Sequence, residues 1–168
     1  MIPQKASIPG PYPILHLAPR LCRPSIVFSR DDRSGAGKAP ALSARILIVE
    51  DDFLVASDVE AAQTEAGIII AGVASSAEEA LELAETHQPV LAIMDIRLAG
   101  KRDGIDTALD LFGTHGIRCV FASAHHDEVT RARAQPAHPL AWVPKPYAMA
   151  SLVEAVRVAL QDLRGDTK

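Results

Sequence analysis

The sequence predicts an α/β domain, a parallel sheet with helices on both faces, from three observations. From residue 45 onward, short apolar runs rich in β-branched residues alternate with stretches of helical periodicity. Two of those runs end in acid: Arg45–Glu50 leads into Asp51 and Asp52, and Val90–Met94 leads into Asp95. The first 44 residues show neither period, which confines the domain to the remainder.

Arg45–Glu50 reads as the first strand. Phe53–Ala66 follows as a helix, with Asp52 placed as its N-cap and Gly67 as its stop. Ile68–Ala74 is a β-branched second strand. Ser76-Ala-Glu-Glu79 is a capping box that opens a helix through His87, and Pro89 closes it. Val90–Met94 is the third strand. Gly104 opens a helix over Ile105–His115, with Ile105, Leu109 and Phe112 on one face. Arg118–Ala122 is the fourth strand. Asp127–Ala134 supports a short polar helix at most, broken by Pro136 and Pro139. Leu140–Val143 is the last strand, and Ala148–Leu163 is a helix with Leu152, Val156, Leu160 and Leu163 in one stripe.

Composition bounds the function. No apolar run nears the ~18 residues of a membrane span. Pro9, Gly10, Pro11, Pro13 and His16 interrupt any leader-like stretch, so no secretory signal is predicted. Cys22 and Cys119 sit in unlike contexts, a tail and a strand, which predicts free thiols and a cytoplasmic compartment. Residues 1–44 carry six basic side chains against two acidic, +4, and residues 45–168 carry eleven against nineteen, −8. An acidic globule argues against direct DNA binding by the domain. Residues 1–44 also hold seven of the twelve prolines and the linker-like Ser34–Pro40, so they are predicted to be a disordered, Pro-rich basic tail. Gly37-Lys38 is no P-loop, because Asp32 and Ala39 stand where that motif needs Gly and Ser/Thr. The domain is thus placed at 45–163, with a C-terminal tail at 164–168.

Parallel α/β sheets bind ligands outside the carboxyl ends of their strands. Glu50, Asp51, Asp95 and Ser123 all fall there. Clustered carboxylates repel, so an all-oxygen set calls for a hard divalent cation such as Mg²⁺. Lys145, in Val-Pro-Lys-Pro, is left to hold an anion beside the metal. Such a pocket suits phosphoryl transfer. Asp52 reads as a cap rather than a ligand.

In order, strand context and spacing, Ile46-Leu-Ile-Val-Glu-Asp-Asp52, Ile93-Met-Asp95, Ala122-Ser-Ala124 and Lys145-Pro146 resemble the receiver domain of two-component response regulators. The resemblance covers residues 45–163 and implies a flavodoxin-like, doubly wound sheet of five strands in the order 2-1-3-4-5. It implies that Asp95 is the phosphoacceptor, supplied by a sensor histidine kinase or a phosphotransfer protein. Mg²⁺ would be held by Asp51, by Glu50 directly or through water, by Asp95 and by the backbone carbonyl of Arg97. Ser123 matches the switch hydroxyl, and Lys145 the lysine that pairs with a phosphoryl oxygen. Trp142 falls where the family has its rotating aromatic, though a plain core role is an equal reading. Arg97 and His125 occupy the positions that modulate dephosphorylation. By the same resemblance Lys145-Pro146 is expected to be cis.

The chain departs from the family pattern in three places. The loop Arg97–Asp103 lacks the usual proline and is a residue longer, and Gln135–Pro139 replaces the common turn after the fourth helix. Phe121-Ala-Ser123 partly resembles the FAT GUY single-domain receivers, with Ala124 and His125 in place of Gly and Tyr. Five residues follow Leu163, so a stand-alone receiver is expected: a non-enzymatic, phosphorylation-switched module acting on an unidentified protein target. The alternative is a Mg²⁺-dependent phosphohydrolase with an aspartyl nucleophile. Such enzymes carry a second Asp where this chain has Arg97. A third reading is a domain that binds partners constitutively.

Overall fold

The computed structural model describes residues 44–124 and 127–165. Residues 1–43, His125, His126 and residues 166–168 lie outside the described residues, and with them nearly all of the N-terminal tail expected at 1–44. Five parallel strands, β1 (Arg45–Val49), β2 (Ile69–Ala74), β3 (Leu91–Met94), β4 (Arg118–Ser123) and β5 (Ala141–Pro144), form one sheet in the order β2-β1-β3-β4-β5. Helices α1 (Phe53–Glu65), α2 (Ala77–His87), α3 (Gly104–His115), α4 (Glu128–Ala134) and α5 (Met149–Gly165) alternate with them. This is the flavodoxin-like, doubly wound fold.

Strand alternation sorts the core into two layers. Ile46, Ile48, Leu91, Ile93, Val120 and Ala122 pack against Val59 of α1 and Leu152, Val156 and Leu160 of α5. Leu47, Val49, Ala92, Met94, Cys119 and Phe121 face the other way, against Ala80 and Ala84 of α2 and Ile105, Ala108 and Leu111 of α3. Burial on both faces explains why these strands read as unbroken apolar runs. Cys119 is a free, fully buried thiol whose pKa burial pushes up to about 12, so it is chemically inert.

The helix starts follow local capping chemistry. Asp52 accepts from the N–H groups of Leu54 and Val55, and Asp127 caps α4 through Thr130 N–H. The predicted capping box at Ser76 is half formed: Ser76 Oγ accepts from Glu79 N–H at 3.3 Å. The Glu79 carboxylate, however, takes Ser75 N–H and Ser75 Oγ, at 2.8 and 2.9 Å, one residue ahead of the box position. The Pro136 break is also milder than expected. Gln135–Ala137 continues α4 as a 3₁₀ turn with proline in its first positions, where a missing N–H costs nothing, and it buries Ala134 and Ala137. At the other end α5 runs through Gly165, two residues beyond the predicted stop.

Candidate functional site

Sheet register brings the acids together. Val49 of β1 pairs with Met94 of β3, so the next residue of each strand leaves the sheet at the same edge. Glu50 N–H donates to Ala74 O at 3.0 Å, and Asp95 N–H donates to Val49 O at 2.9 Å. These bonds hold both residues in line with the strands while their side chains pass beyond the sheet. Glu50 is 7% exposed and Asp95 8%, whereas Asp51 faces solvent.

Lys145 arrives from the far side. Ser123 pairs with Pro144, and Lys145 N–H donates to Ser123 O at 3.1 Å, so β4 aims the lysine across the strand ends. Its Nζ donates to Glu50 Oε2 at 2.7 Å and to Asp95 Oδ2 at 3.0 Å. Asp95 Oδ1 accepts from Ile96 N–H at 2.7 Å, so both oxygens of this carboxylate are engaged. Lys145-Pro146 is cis, as expected. Ser123 is buried at the end of β4. One carboxylate oxygen from each of Glu50, Asp51 and Asp95 falls within 4.8 Å of the others. Three hard oxygen donors at that spacing fit an octahedral cation that keeps several waters.

Electrostatics follow from this geometry. Burial first, and then the neighbouring Asp95 charge, hold the Glu50 carboxyl above its ordinary range, against the opposing pull of Lys145. The Lys145 ammonium, facing two carboxylates, is pushed up although burial works the other way. At Glu50 the Asp95 charge thus adds to the effect of burial, with Lys145 offsetting part of both.

A pH dependence of known sign results. Because the folded pKa of Glu50 is raised, its contribution to stability is complete below its unfolded pKa and is lost as pH rises through the folded value. Without metal, Glu50→Gln is therefore expected to gain stability relative to wild type between pH 4 and pH 7.5. At about a hundred times its Kd, Mg²⁺ should add about 2.7 kcal/mol to the wild type by mass action and less to the variant. Urea unfolding at both pH values, with and without Mg²⁺, measures each difference. A wild-type-to-variant gap that is flat with pH would refute the electrostatic account.

Behind the carboxylates the packing is close. Gly104, the first residue of α3, donates to Ile96 O at 2.7 Å, and a Cβ built on it would lie 1.8 Å from Asp95 O. Asp103, the N-cap of α3, accepts from Ile105 and Asp106 N–H and is gripped by Arg133 of α4. Arg97 is exposed on the loop between Ile96 and Gly104. Trp142 of β5 stacks on its cross-strand partner Phe121, with ring centroids 4.5 Å apart and planes 21° apart. The Arg131 guanidinium lies 5.2 Å from the Trp142 ring. Trp142 is only partly buried, so it combines a core contact with an exposed edge. His125 lies outside the described residues.

Sequence reasoning missed three residues near the site: Gly104 as a packing requirement, Arg133, and Tyr147. Burial raises the Tyr147 phenol, which also feels Lys145, Glu50 and Asp95. Only Gly104 left a usable signal, a glycine directly after a capping aspartate, where a better helix former would ordinarily stand.

Comparison with known proteins agrees with the geometry. The family model for the response regulator receiver domain matches residues 46–157. The chain is 35% identical over 124 residues to the transcriptional regulatory protein PdtaR of Mycobacterium tuberculosis, covering 74% of this chain and 60% of that protein. It is 34% identical over 131 residues to the phyllosphere-induced regulator PhyR of Methylorubrum extorquens, covering 77% and 48%. The chain thus spans less than two thirds of either relative. Among solved structures, the signal receiver domain of a modulated diguanylate cyclase from Desulfovibrio desulfuricans G20 superposes with a TM-score of 0.67 at 30% identity, covering 73% of this chain and 97% of that one. The chain belongs to the response regulator receiver domain family.

Proposed function

We propose that this protein is a stand-alone response regulator of a phosphorelay, which accepts a phosphoryl group on Asp95 from a sensor histidine kinase or phosphotransfer protein. The observation that carries the reading is Lys145 Nζ bridging Glu50 Oε2 and Asp95 Oδ2 at the carboxyl edge of the sheet. An Asp95 oxygen attacks phosphorus in line, the P–N bond to the donor imidazole breaks, and the imidazole leaves with a proton. Lys145, already on Asp95, is placed to take up a phosphoryl oxygen as negative charge moves outward. The Ser123 hydroxyl would bond a second oxygen. Glu50, Asp51, Asp95 and the Arg97 carbonyl would hold Mg²⁺, which would supply neutralisation of phosphoryl charge.

Phe53 and Leu54, 79% and 72% exposed at the start of α1, set apolar surface beside Asp51 and Asp52, where a donor protein must approach. No described helix is long and apolar enough to cross a membrane. A cytoplasmic module acting on a protein target, without direct DNA binding and without turnover as an enzyme, fits the acidic domain. Arg97 stands where an aspartyl phosphohydrolase needs its acid/base, which disfavours that alternative.

Incubation with a small phosphodonor and Mg²⁺ tests the proposal, and an acid-stable, base-labile adduct is the expected product. Failure to label with both the small donor and a phosphohistidine protein would overturn it. Trp142 supplies a second readout. Beryllofluoride with Mg²⁺ is expected to change Trp142 emission, because movement of Ser123 toward the mimic frees space beside the Phe121–Trp142 stack. Ser123→Ala should blunt that change, and Mg²⁺ alone should produce less. Identical emission in all states would assign Trp142 to the static core.

A further inference from the structure

We propose that Arg133 is a positioning residue for the acid site, holding the loop that carries Arg97 against the backbone of Asp95 through its grip on Asp103. The inference rests on the metal and phosphoacceptor reading above. Its structural part stands on contacts made without metal.

The loop between Ile96 and Gly104 is closed by the 2.7 Å bond from Gly104 N–H to Ile96 O. Its far end is Asp103. There Arg133 Nη1 donates to Oδ2 at 2.6 Å and Nη2 donates to Oδ1 at 3.0 Å, a two-point grip across thirty residues of sequence. Nη2 also donates to Asp106 Oδ1 at 2.7 Å, which ties the same guanidinium to the first turn of α3. Asp103 Oδ1 at the same time accepts from the N–H groups of Ile105 and Asp106, so one carboxylate caps α3 and anchors α4. Partial burial works against its ionisation, but these donors hold the Asp103 carboxyl below its ordinary range. Gly104 then passes the constraint to Asp95, whose carbonyl it abuts.

The consequence is geometric. The seven-residue loop has no proline and carries Gly100 at φ +116°, so its own backbone adds little stiffness, and side-chain contacts hold it: Leu98 packs against the core and Arg102 pairs with Asp110 of α3. Its carbonyls are held by those contacts and by its two ends. One end is the strand that bears Asp95, and the other is Asp103. Arg133 fixes the Asp103 end, and so shares in setting how the Arg97 carbonyl is presented to a cation, without being a ligand itself. A lysine would supply charge at one point and lose the two-point geometry.

The test uses the full chain with Arg133→Ala and Arg133→Lys. Hydrogen exchange without metal reads the Gly104 amide, and calorimetric titration with MgCl₂ reads Kd. Arg133 and Asp103 side chains are 45% and 33% exposed, so the effect is moderated by solvent. Amide exchange should quicken and Mg²⁺ Kd should rise by about threefold to tenfold in Arg133→Ala. Arg133→Lys should fall between it and wild type. A lower melting temperature with unchanged Gly104 exchange and unchanged Kd would overturn the proposal, leaving Arg133 as an attachment for α4 only. If wild type itself binds no Mg²⁺, the metal reading fails, and the Gly104 amide alone decides the role of Arg133.

Discussion

Asp95→Asn is expected to abolish phosphoryl labelling while leaving the domain folded. The amide has no nucleophilic carboxylate oxygen, so the in-line attack loses its electron pair. Asp51 and Glu50 do not substitute for it: Glu50 is held by Lys145 and Asp52 N–H, and Asp51, in the same acid cluster, would be taken up by the cation. The effect on stability is small because two changes oppose each other. Both oxygens of Asp95 accept hydrogen bonds, from Ile96 N–H and Lys145 Nζ, and an amide satisfies only one, losing a charge-assisted bond at a cost of about 1.5–3 kcal/mol. Removing the charge also relieves the Asp95 repulsion that adds to burial in raising Glu50. Mass-spectrometric mapping of the adduct, together with urea unfolding of both proteins, separates chemistry from folding. Labelling that persists in the variant would assign the phosphoryl group elsewhere.

The acid edge was legible because it needs only adjacency: each acid directly follows an apolar run, and parallel strands end on one side. Asp52 as a cap was legible for the same local reason. Strand order was not carried by periodicity; it came with the family resemblance. What stayed hidden depends on contacts that leave no period in the sequence. Arg133 and Asp103 lie thirty residues apart, and nothing in Glu128–Ala134 says which arginine turns toward α3 and which toward Trp142. Pro136 read as a breaker, although a proline entering a 3₁₀ turn gives up no hydrogen bond. Glu79 bonds Ser75 rather than Ser76 because two donors of Ser75 converge on one carboxylate oxygen. Spacing alone does not distinguish those donors.

Gly104→Ala is expected to destabilise the domain and slow labelling at Asp95, against what helix propensity predicts. Gly104 has no positive φ, so alanine is allowed by its backbone and would favour an exposed helix by about 1 kcal/mol. Sterics decide otherwise. The new Cβ would lie 1.8 Å from Asp95 O, 2.8 Å from Asp95 C and 2.9 Å from Ile96 Cα, all backbone atoms that no rotamer can move aside. Either α3 retreats from the strand end or the Asp95 carbonyl turns, and the 2.7 Å bond from Gly104 N–H to Ile96 O stretches in both cases. Overpacking of this kind costs about 1–3 kcal/mol or more, which exceeds the propensity gain. Because the displaced atoms belong to Asp95 and Ile96, labelling should fall further than in a variant equally destabilised elsewhere. Gly113→Ala is the control. It lies in the same helix with nothing within 4 Å of its built Cβ, so propensity acts alone and the variant should be neutral or more stable. Urea unfolding and phosphodonor labelling of the two variants give the comparison. Equal stability of Gly104→Ala and Gly113→Ala would show that the start of α3 yields freely, and the close seating of α3 on the phosphoacceptor would then have no role in holding Asp95.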